Sequence, residues 1–558
     1  MEDDGLTSTG DDGTIHTAQA DLLAQTYTPA MIDKRKIYIV GYPTVSSASG
    51  RRKPDANTAI IDAINRGTLI TNYTGHGNPE VWAHEWVLTR EESLSKLTNA
   101  DRLTFLVAAT CDFARYDNPM EESAGEEIFV MEGGGSVGVL TSSRAVYSFQ
   151  NAQFNNTFYS EVFKRDSIGS FSRLGDAMWR TKQILYGTND IKYHLFADPA
   201  MRLALPPQVA LVDSVNGSPL VSVVSVPTLG TMVVDGRITK ADGSDRSDFN
   251  GRALVEVYDA KQRVYVPEWG TFSYEVNGSI LYRGEVSVSG GRFRGVSPIP
   301  KDVSYGDNPA RVAVYAWDQT SDATGYTESI KISGTDTTAA VDTTGPQVDI
   351  FFNDESFRSG DVTTPGSTLL VNLADQSGIN TSSAGIGHRL EASFSALGQP
   401  VDLSEFYRSN LDTYQSGQVT FTIPDLPEGR QSVTVKAWDT RNNSNEQEVF
   451  FEVRASSELD VYNVMNFPNP FSRTTRFTFQ RSSSDPIEVE IRIYTVAGRL
   501  IHVLGVPSSI DRFVEVEWDG RDRDGNDVAN GVYFYKLITR PTGGGDAREV
   551  LGKLAVLR

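Results

Sequence analysis

Helical periodicity stops at Pro206-Pro207, and nothing else in the 558 residues constrains the fold as much. Up to that point apolar runs alternate with amphipathic stretches. Ile37-Tyr38-Ile39-Val40 reads as a strand, 55–66 as an amphipathic helix stopped by Gly67, and Thr68-Leu69-Ile70-Thr71-Asn72-Tyr73 as a second strand. A helix over 89–97, an apolar strand over 103–110 and a helix over 120–132 follow. Gly133-Gly134-Gly135 breaks that helix before a strand over 136–140 and helices over 150–164 and 173–186. Strand–helix–strand alternation predicts a mostly parallel sheet with helices on both faces. Residues 1–34 are polar and read as a poorly ordered lead-in, which leaves 35–205 for the α/β domain.

Past the two prolines, short alternating runs take over, such as Ala253-Leu254-Val255-Glu256-Val257-Tyr258 and Ala310-Arg311-Val312-Ala313-Val314-Tyr315-Ala316-Trp317. Asn216-Gly217, Asp242-Gly243 and Asn277-Gly278 mark turns between such runs. The pattern predicts all-β sandwich modules. A Ser, Gly and Thr-rich stretch near 333–345 separates Ig-like modules over 206–340 and 341–455. Val433-Thr434-Val435-Lys436-Ala437-Trp438-Asp439 in the second echoes Val312-Ala313-Val314-Tyr315-Ala316-Trp317-Asp318 in the first. A polar linker over 455–460 leads into a smaller β-sandwich, giving a last module over 456–558. The fold class is therefore multidomain, α/β followed by all-β.

Two apolar strands of the α/β domain end beside residues able to do chemistry. Cys111, the only cysteine of the chain, follows the 103–110 run, and Gly75-His76-Gly77 follows the strand before it. In parallel α/β sheets, sites are built at the C-terminal ends of strands. A thiolate is a nucleophile and an imidazole can take its proton. Backbone amides near Gly77 and Cys111 could face an oxyanion. Each residue also has a plain structural use: free cysteines pack as small hydrophobes, and glycines turn the chain sharply. His84, in Trp82-Ala83-His84-Glu85-Trp86, is a rival base; His194 reads as a loop histidine, and His16, His388 and His502 as incidental.

Metal chemistry is disfavoured. Cys111 and His76 with a carboxylate would lack a second cysteine and a His-x-x-x-His spacing, so neither metal nor cofactor is expected. Asp519, Asp522, Asp524 and Asp527 resemble a calcium loop in composition, but no glutamate closes it and a solvated turn is the simpler reading. The triple glycine precedes a strand with no Lys-Ser/Thr, so it is not a phosphate loop. A net charge of −21 argues against nucleic acid as a partner. No apolar run is long enough for a membrane-spanning helix. Met1-Glu2-Asp3-Asp4 carries no signal-peptide pattern, so an exported form would have to start upstream.

Five segments resemble the gingipain family of cysteine peptidases over about residues 35–205. They are Asn72-Tyr73-Thr74-Gly75-His76-Gly77, Ala109-Thr110-Cys111-Asp112-Phe113-Ala114-Arg115-Tyr116-Asp117, Ser123-Ala124-Gly125-Glu126, Gly134-Gly135-Ser136-Val137-Gly138 and Phe196-Ala197-Asp198-Pro199-Ala200. The resemblance implies a caspase-like fold, incomplete on its N-terminal side, with Cys111 as nucleophile and His76 as catalytic histidine. It places the oxyanion hole at the backbone amides of Gly77 and Cys111. The caspase motif Gln-Ala-Cys-x-Gly is absent, so this is no caspase proper. Family members have an acidic residue orienting the histidine, and early sheet strands, before this point. Asp33 and Asp55 are available carboxylates, assigned to no role, and a sheet without its early strands would expose an edge for the missing part or a partner chain. Asp112-Phe113 stands where many relatives have Glu-Phe.

The C-terminal module is similar to the sorting domain of type IX secretion cargo and to flagellar-hook-cap Ig modules. Asn466-Phe467-Pro468-Asn469-Pro470-Phe471, Trp518-Asp519-Gly520 and Gly531-Val532-Tyr533 carry that likeness. Head and tail together resemble the sortase branch of the family. That implies a cell-surface, outer-membrane-associated enzyme that removes C-terminal sorting domains from cargo and transfers the cargo to anionic lipopolysaccharide. It also implies work beside the barrel protein PorV, with PorQ and PorZ. Two other readings stay open: a non-enzymatic surface scaffold or adhesin with a degenerate head, and a general secreted gingipain-like protease.

Overall fold

The computed structural model describes residues 6–7, 10–11, 14–47, 50–166, 169–266, 272–304, 308–382, 387–454, 461–481, 486–509, 513–544 and 547–558. The expected linker 455–460 lies outside them. The chain divides into two compact units, the first made of Met1–Val341, Ser382–Gly385 and Ser409–Tyr414 and the second of the remainder.

The head of the first unit is built on four strands: β1 (Ile70–Thr74), β2 (Thr104–Ala109), β3 (Ser136–Ser142) and β4 (Tyr193–Phe196). Their order is β4-β3-β2-β1; β1, β2 and β3 run parallel and β4 antiparallel to β3. Every residue of β2 is buried, which requires cover on both faces. Alternation supplies it. Leu106 and Ala108 pack with Ile60, Ile64 and Ile128 on one face, from α2 (Pro54–Asn65) and α4 (Ala124–Val130). Phe105 and Val107 pack on the other with Phe154, Phe158, Leu174 and Ala177, from α5 (Ser148–Val162) and α6 (Leu174–Ile184). Between β1 and β2 the short helix α3 (Arg90–Ser93) is capped by Thr89 Oγ1, which accepts the Glu92 amide.

Three expectations change. From residue 14 on the lead-in is ordered: helix α1 (Ile15–Leu22) continues into a π-turn over Leu23–Tyr27, and Leu23 joins the α5–α6 core. Its apolar residues are too few to show as a helical stripe, so tertiary packing orders it. Ile37-Tyr38-Ile39-Val40 is buried but makes no strand; Ile39–Gly41 is a 3-10 turn. Among the described residues no ladder partner reaches it, and the buried Lys53 ammonium instead donates to Ile39 O (2.8 Å) and to Tyr42 O just beyond the run (3.2 Å). His194 lies in edge strand β4, not in a loop, opposite Thr141.

Strand β1 is the other sheet edge among the described residues. Beside it opens a cavity of about 430 Å³ lined by Leu23, Ile32, Tyr38, Ile64, Leu69 and Tyr159 among others.

The rest of the first unit is a β module. Strands Gly251–Tyr258, Ala310–Trp317, Asp322–Thr335, Gln208–Val215, Thr231–Thr239, Arg292–Pro298 and Ile280–Ser289 pair in that order, and the last pairs back to the first. Phe249, Val255, Val286, Phe293 and Val312 fill the interior. The head rests on the hairpin Gln262–Tyr265/Ser273–Val276 through Tyr38 and Tyr274, whose rings meet edge to face at 4.7 Å.

The second unit holds two more β modules. In one, the sheet Gln347–Phe352, Thr368–Ala374, Ser416–Thr422 and the sheet built on Gly429–Trp438 and Ser444–Val453 share a core including Phe352, Val371, Val435 and Phe451. In the other, Thr475–Arg481 is flanked by Val461–Phe467 and Phe513–Trp518, and Ile487–Thr495 by Leu500–Ser509 and Gly531–Pro541. Trp518, Phe477 and Tyr535 anchor its core.

Candidate active site

Strands β1 and β2 are paired in register, Thr74 opposite Ala109, and Gly75 N donates to Ala109 O (3.4 Å). The His76 loop and Cys111 therefore leave the sheet side by side. Gly77 rests directly on Thr110, the residue before Cys111: a Cβ there would stand 2.5 Å from Thr110 Oγ1. The His76 carbonyl accepts from Tyr73 Oη (2.5 Å) and from Ala83 N (2.9 Å). Tyr73 is buried and its ring stacks on Trp82 at 4.4 Å, so the loop's backbone is fixed from below. The His76 imidazole itself is half-buried.

Cys111 is half-buried as well. Its Sγ donates to Val146 O (3.4 Å) and accepts from Val146 N (3.3 Å), so Val146, not an imidazole, holds the thiol here. Burial pushes the thiol pKa up; the Val146 amide and Lys192 pull it down, and Asp112 pushes it up again. The neutral thiol is the favoured form, and a base must remove its proton in a reaction. After Cys111 the chain reverses: Asp112 has φ +51°, a left-handed geometry that aspartate tolerates better than most residues. Asp112 N donates to Arg144 O (3.4 Å), and Arg144 pairs with Asp117.

The remaining motif residues brace this corner. Ser123 forms a capping box with Glu126, and its Oγ also accepts the Arg115 amide (3.1 Å). Gly125 donates to Phe113 O (2.9 Å), and a Cβ there would meet that oxygen at 2.6 Å. Gly138 leaves room for Ala197, and Gly175 for Pro199, each within 2.6 Å of a would-be Cβ. These glycines permit close approach of helix, strand and loop rather than contact with a ligand.

The structure adds one residue that the sequence pattern gave no reason to select. His16, on α1, is only 4% exposed, and its ring stands perpendicular to that of His76, centroids 5.2 Å apart at 82°. The His84 ring lies 5.1 Å from that of His76, tilted by 58°, and is exposed. The two carboxylates noted in the sequence are occupied elsewhere. Asp33 accepts from Asn277 Nδ2 (2.8 Å) in the first β module, its pKa raised by burial and by Glu256. Asp55 is exposed in the first turn of α2. The 430 Å³ cavity is lined by neither Cys111 nor His76.

His194 packs against Tyr116 and Phe196 at 5.1 and 6.4 Å, and His388 and His502 lie in the second unit against Trp438 and Trp518. Among Asp519, Asp522, Asp524 and Asp527, Asp522 accepts the Asp524 and Asn526 amides, while Asp527 pairs with Arg558. That is a braced turn. One carboxylate group was not anticipated: Asp342, Asp375 and Asp439 of the second unit bring oxygen atoms within 4.8 Å of one another.

Residues 2–204 match the model of peptidase family C25, and residues 466–540 that of the FlgD Ig-like domain. No curated protein matches the chain. Among solved structures, the chain is similar to dimeric latent PorU from Porphyromonas gingivalis, at 25% identity and a TM-score of 0.32, over 76% of this chain and 41% of that one. It is also similar to the Arg-specific cysteine proteinase gingipain R, at 15% identity and a TM-score of 0.25, over 50% of this chain and 56% of that one. A complex of the P. gingivalis RgpB pro- and mature domains matches at 15% identity and a TM-score of 0.25, over 50% of this chain and 57% of that one. The chain thus spans well under two thirds of each of these structures. What the comparisons show is a head, residues 2–204, that matches peptidase family C25, a family of cysteine peptidases, followed by β-sandwich modules of which the last matches a FlgD Ig-like domain.

Proposed function

We propose that the chain is a cell-surface cysteine endopeptidase and transpeptidase, a sortase that cuts C-terminal sorting domains from type IX secretion cargo. The observation that carries this reading is the placement of the His76 loop and Cys111 at the ends of adjacent parallel strands in a family C25 domain. Cys111 is the nucleophile. His76 takes the thiol proton as the sulfur attacks the carbonyl at the cargo–sorting-domain junction. The Gly77 and Cys111 amides receive the oxyanion. When the tetrahedral adduct collapses, the C–N bond breaks and His76 returns the proton to the departing amine. The acyl-enzyme is resolved by an amine of anionic lipopolysaccharide, giving an amide, or by water, giving an acid.

The last module supports a surface setting: residues 466–540 match a FlgD Ig-like domain, and their motifs resemble the sorting domain that type IX cargo carries. In this reading it holds the protein to the barrel protein PorV, with PorQ and PorZ in the same complex. The test is mass spectrometry of a purified sorting-domain cargo incubated with wild type and with Cys111→Ala. Cleavage at one junction, lost in the variant, supports the sortase. Cleavage of casein but not of the cargo would replace it with a general protease, and no thiol-dependent cleavage would leave a scaffold.

A further inference from the structure

We propose that His16 is a positioning residue for His76, and that α1 is the strut that fixes the imidazole relative to the Cys111 thiol. The inference rests on the Cys111–His76 reading above. His76 stands between Gly75 and Gly77, so its own neighbours offer no side chain to limit its rotamers. Two rings, those of His16 and His84, pack against it. His84 is exposed and sits in a loop with Ala83 and Trp86 at φ +59° and +57°, whereas His16 is 4% exposed and carried by a helix. The perpendicular approach of the two rings, 82° at 5.2 Å, is the favoured edge-to-face geometry for aromatic pairs.

The helix reaches the other half of the site too. His16 and Gln19 are three residues apart and share a face of α1. Gln19 Nε2 donates to Ser148 Oγ (3.1 Å) and Gln19 Oε1 accepts from Ser148 Oγ (3.3 Å). Ser148 begins α5 two residues after Val146, the residue that holds the thiol in both directions. On its far side α1 is itself clamped: Asp21 accepts from Lys36 Nζ (2.6 Å) and Tyr38 Oη (3.0 Å), and Ala20 packs with Tyr38 and Tyr274. One rigid element thus touches the base and the segment beside the nucleophile.

The experiment is iodoacetamide labelling of full-length protein at one near-neutral pH, read by intact mass, which is unambiguous because the chain has a single cysteine. Wild type, His76→Ala, His16→Ala and His16→Phe are compared, with thermal melting of each. His76→Ala is expected to label at least ~10-fold more slowly than wild type, as loss of a general base requires. His16→Ala is expected to slow nearly as much, while His16→Phe, which keeps a ring at the same place, recovers to within about twofold of wild type. If His16→Ala does not fold, His16→Asn, which keeps a polar group but no ring, is read in its place. Wild-type labelling in His16→Ala beside slow labelling in His76→Ala overturns the proposal and leaves the pair intact. Labelling in His16→Phe as slow as in His16→Ala also overturns it. Wild-type labelling in His76→Ala removes the Cys–His reading itself, and the proposal with it.

Discussion

Gly77 and Thr110 touch so closely that no other residue fits at 77: a Cβ there would stand 2.5 Å from Thr110 Oγ1 and 3.2 Å from Val81 O. Thr110 is buried and cannot swing away. Gly77→Ala must therefore lift the His76 loop off the end of β2. Displacing a catalytic group by about 1 Å costs on the order of 100-fold in rate. On the proposed sortase reading, Gly77→Ala is expected to lose roughly that much kcat/KM on cargo, and Gly77→Ala/Thr110→Ala to recover most of it. An alanine variant as active as wild type would sink the idea that this contact sets the loop.

The same contact shows what the sequence does and does not carry. The buried strand over 103–110, the strand before Gly75 and the break at Pro206-Pro207 were legible because burial on two faces and period-2 alternation leave composition traces. Cys111 and His76 stand where the sequence placed them, just past the ends of those strands. The His16–His76 contact had no such trace, since it depends on a fold contact between α1 and a loop some sixty residues on, and a lone histidine in a polar stretch leaves no pattern. Ile37–Val40 misled for the converse reason. Its apolar run is truly buried, but a strand also needs a neighbour with matching amides, which no local sequence states.

Lys53 supplies what that segment lacks. Its side chain is 1% exposed and its ammonium donates to Ile39 O and Tyr42 O. Lys53→Met keeps the aliphatic stem and removes both donations; Ile39 O keeps the Tyr42 amide (3.0 Å), and the half-buried Tyr42 O loses this donor. The expected cost is about 1–2 kcal/mol in urea unfolding of the first unit. A change below about 0.5 kcal/mol would show that other groups satisfy those carbonyls.

Ser123 serves two structures at once. It caps α4, with its Oγ and amide both on Glu126 Oε2 (2.5 and 3.0 Å), and it accepts the Arg115 amide from the turn after Cys111. Ser123→Ala should cost about 1–2 kcal/mol. It should also raise amide hydrogen exchange across 112–117, because that turn loses its anchor. Faster exchange confined to α4 would mean that the cap matters and the turn does not depend on it.

In the second unit, Asp375 should make stability rise as pH falls. Burial pushes its pKa up to about 6, Asp439 and Asp342 add repulsion, and the Ser377 and Gly378 amides oppose both. In the unfolded chain the group titrates near its ordinary value, about 3.9. The folded state thus binds the proton more tightly. The stabilisation is complete below about pH 4 and is lost as pH rises through about 6. At pH 7 the charged form is a burden, so Asp375→Asn should stabilise this module by on the order of 1 kcal/mol, a figure discounted because the side chain is only half-buried. Hydrogen exchange in Gly429–Trp438, the strand that leads into Asp439, is the local readout. Wild type should be better protected at pH 5 than at pH 7 after correction for intrinsic exchange, and Asp375→Asn should show little difference between the two. If the asparagine variant is less protected than wild type at pH 7, the carboxylate contributes attraction there rather than repulsion, and the argument from burial and like-charge repulsion is wrong.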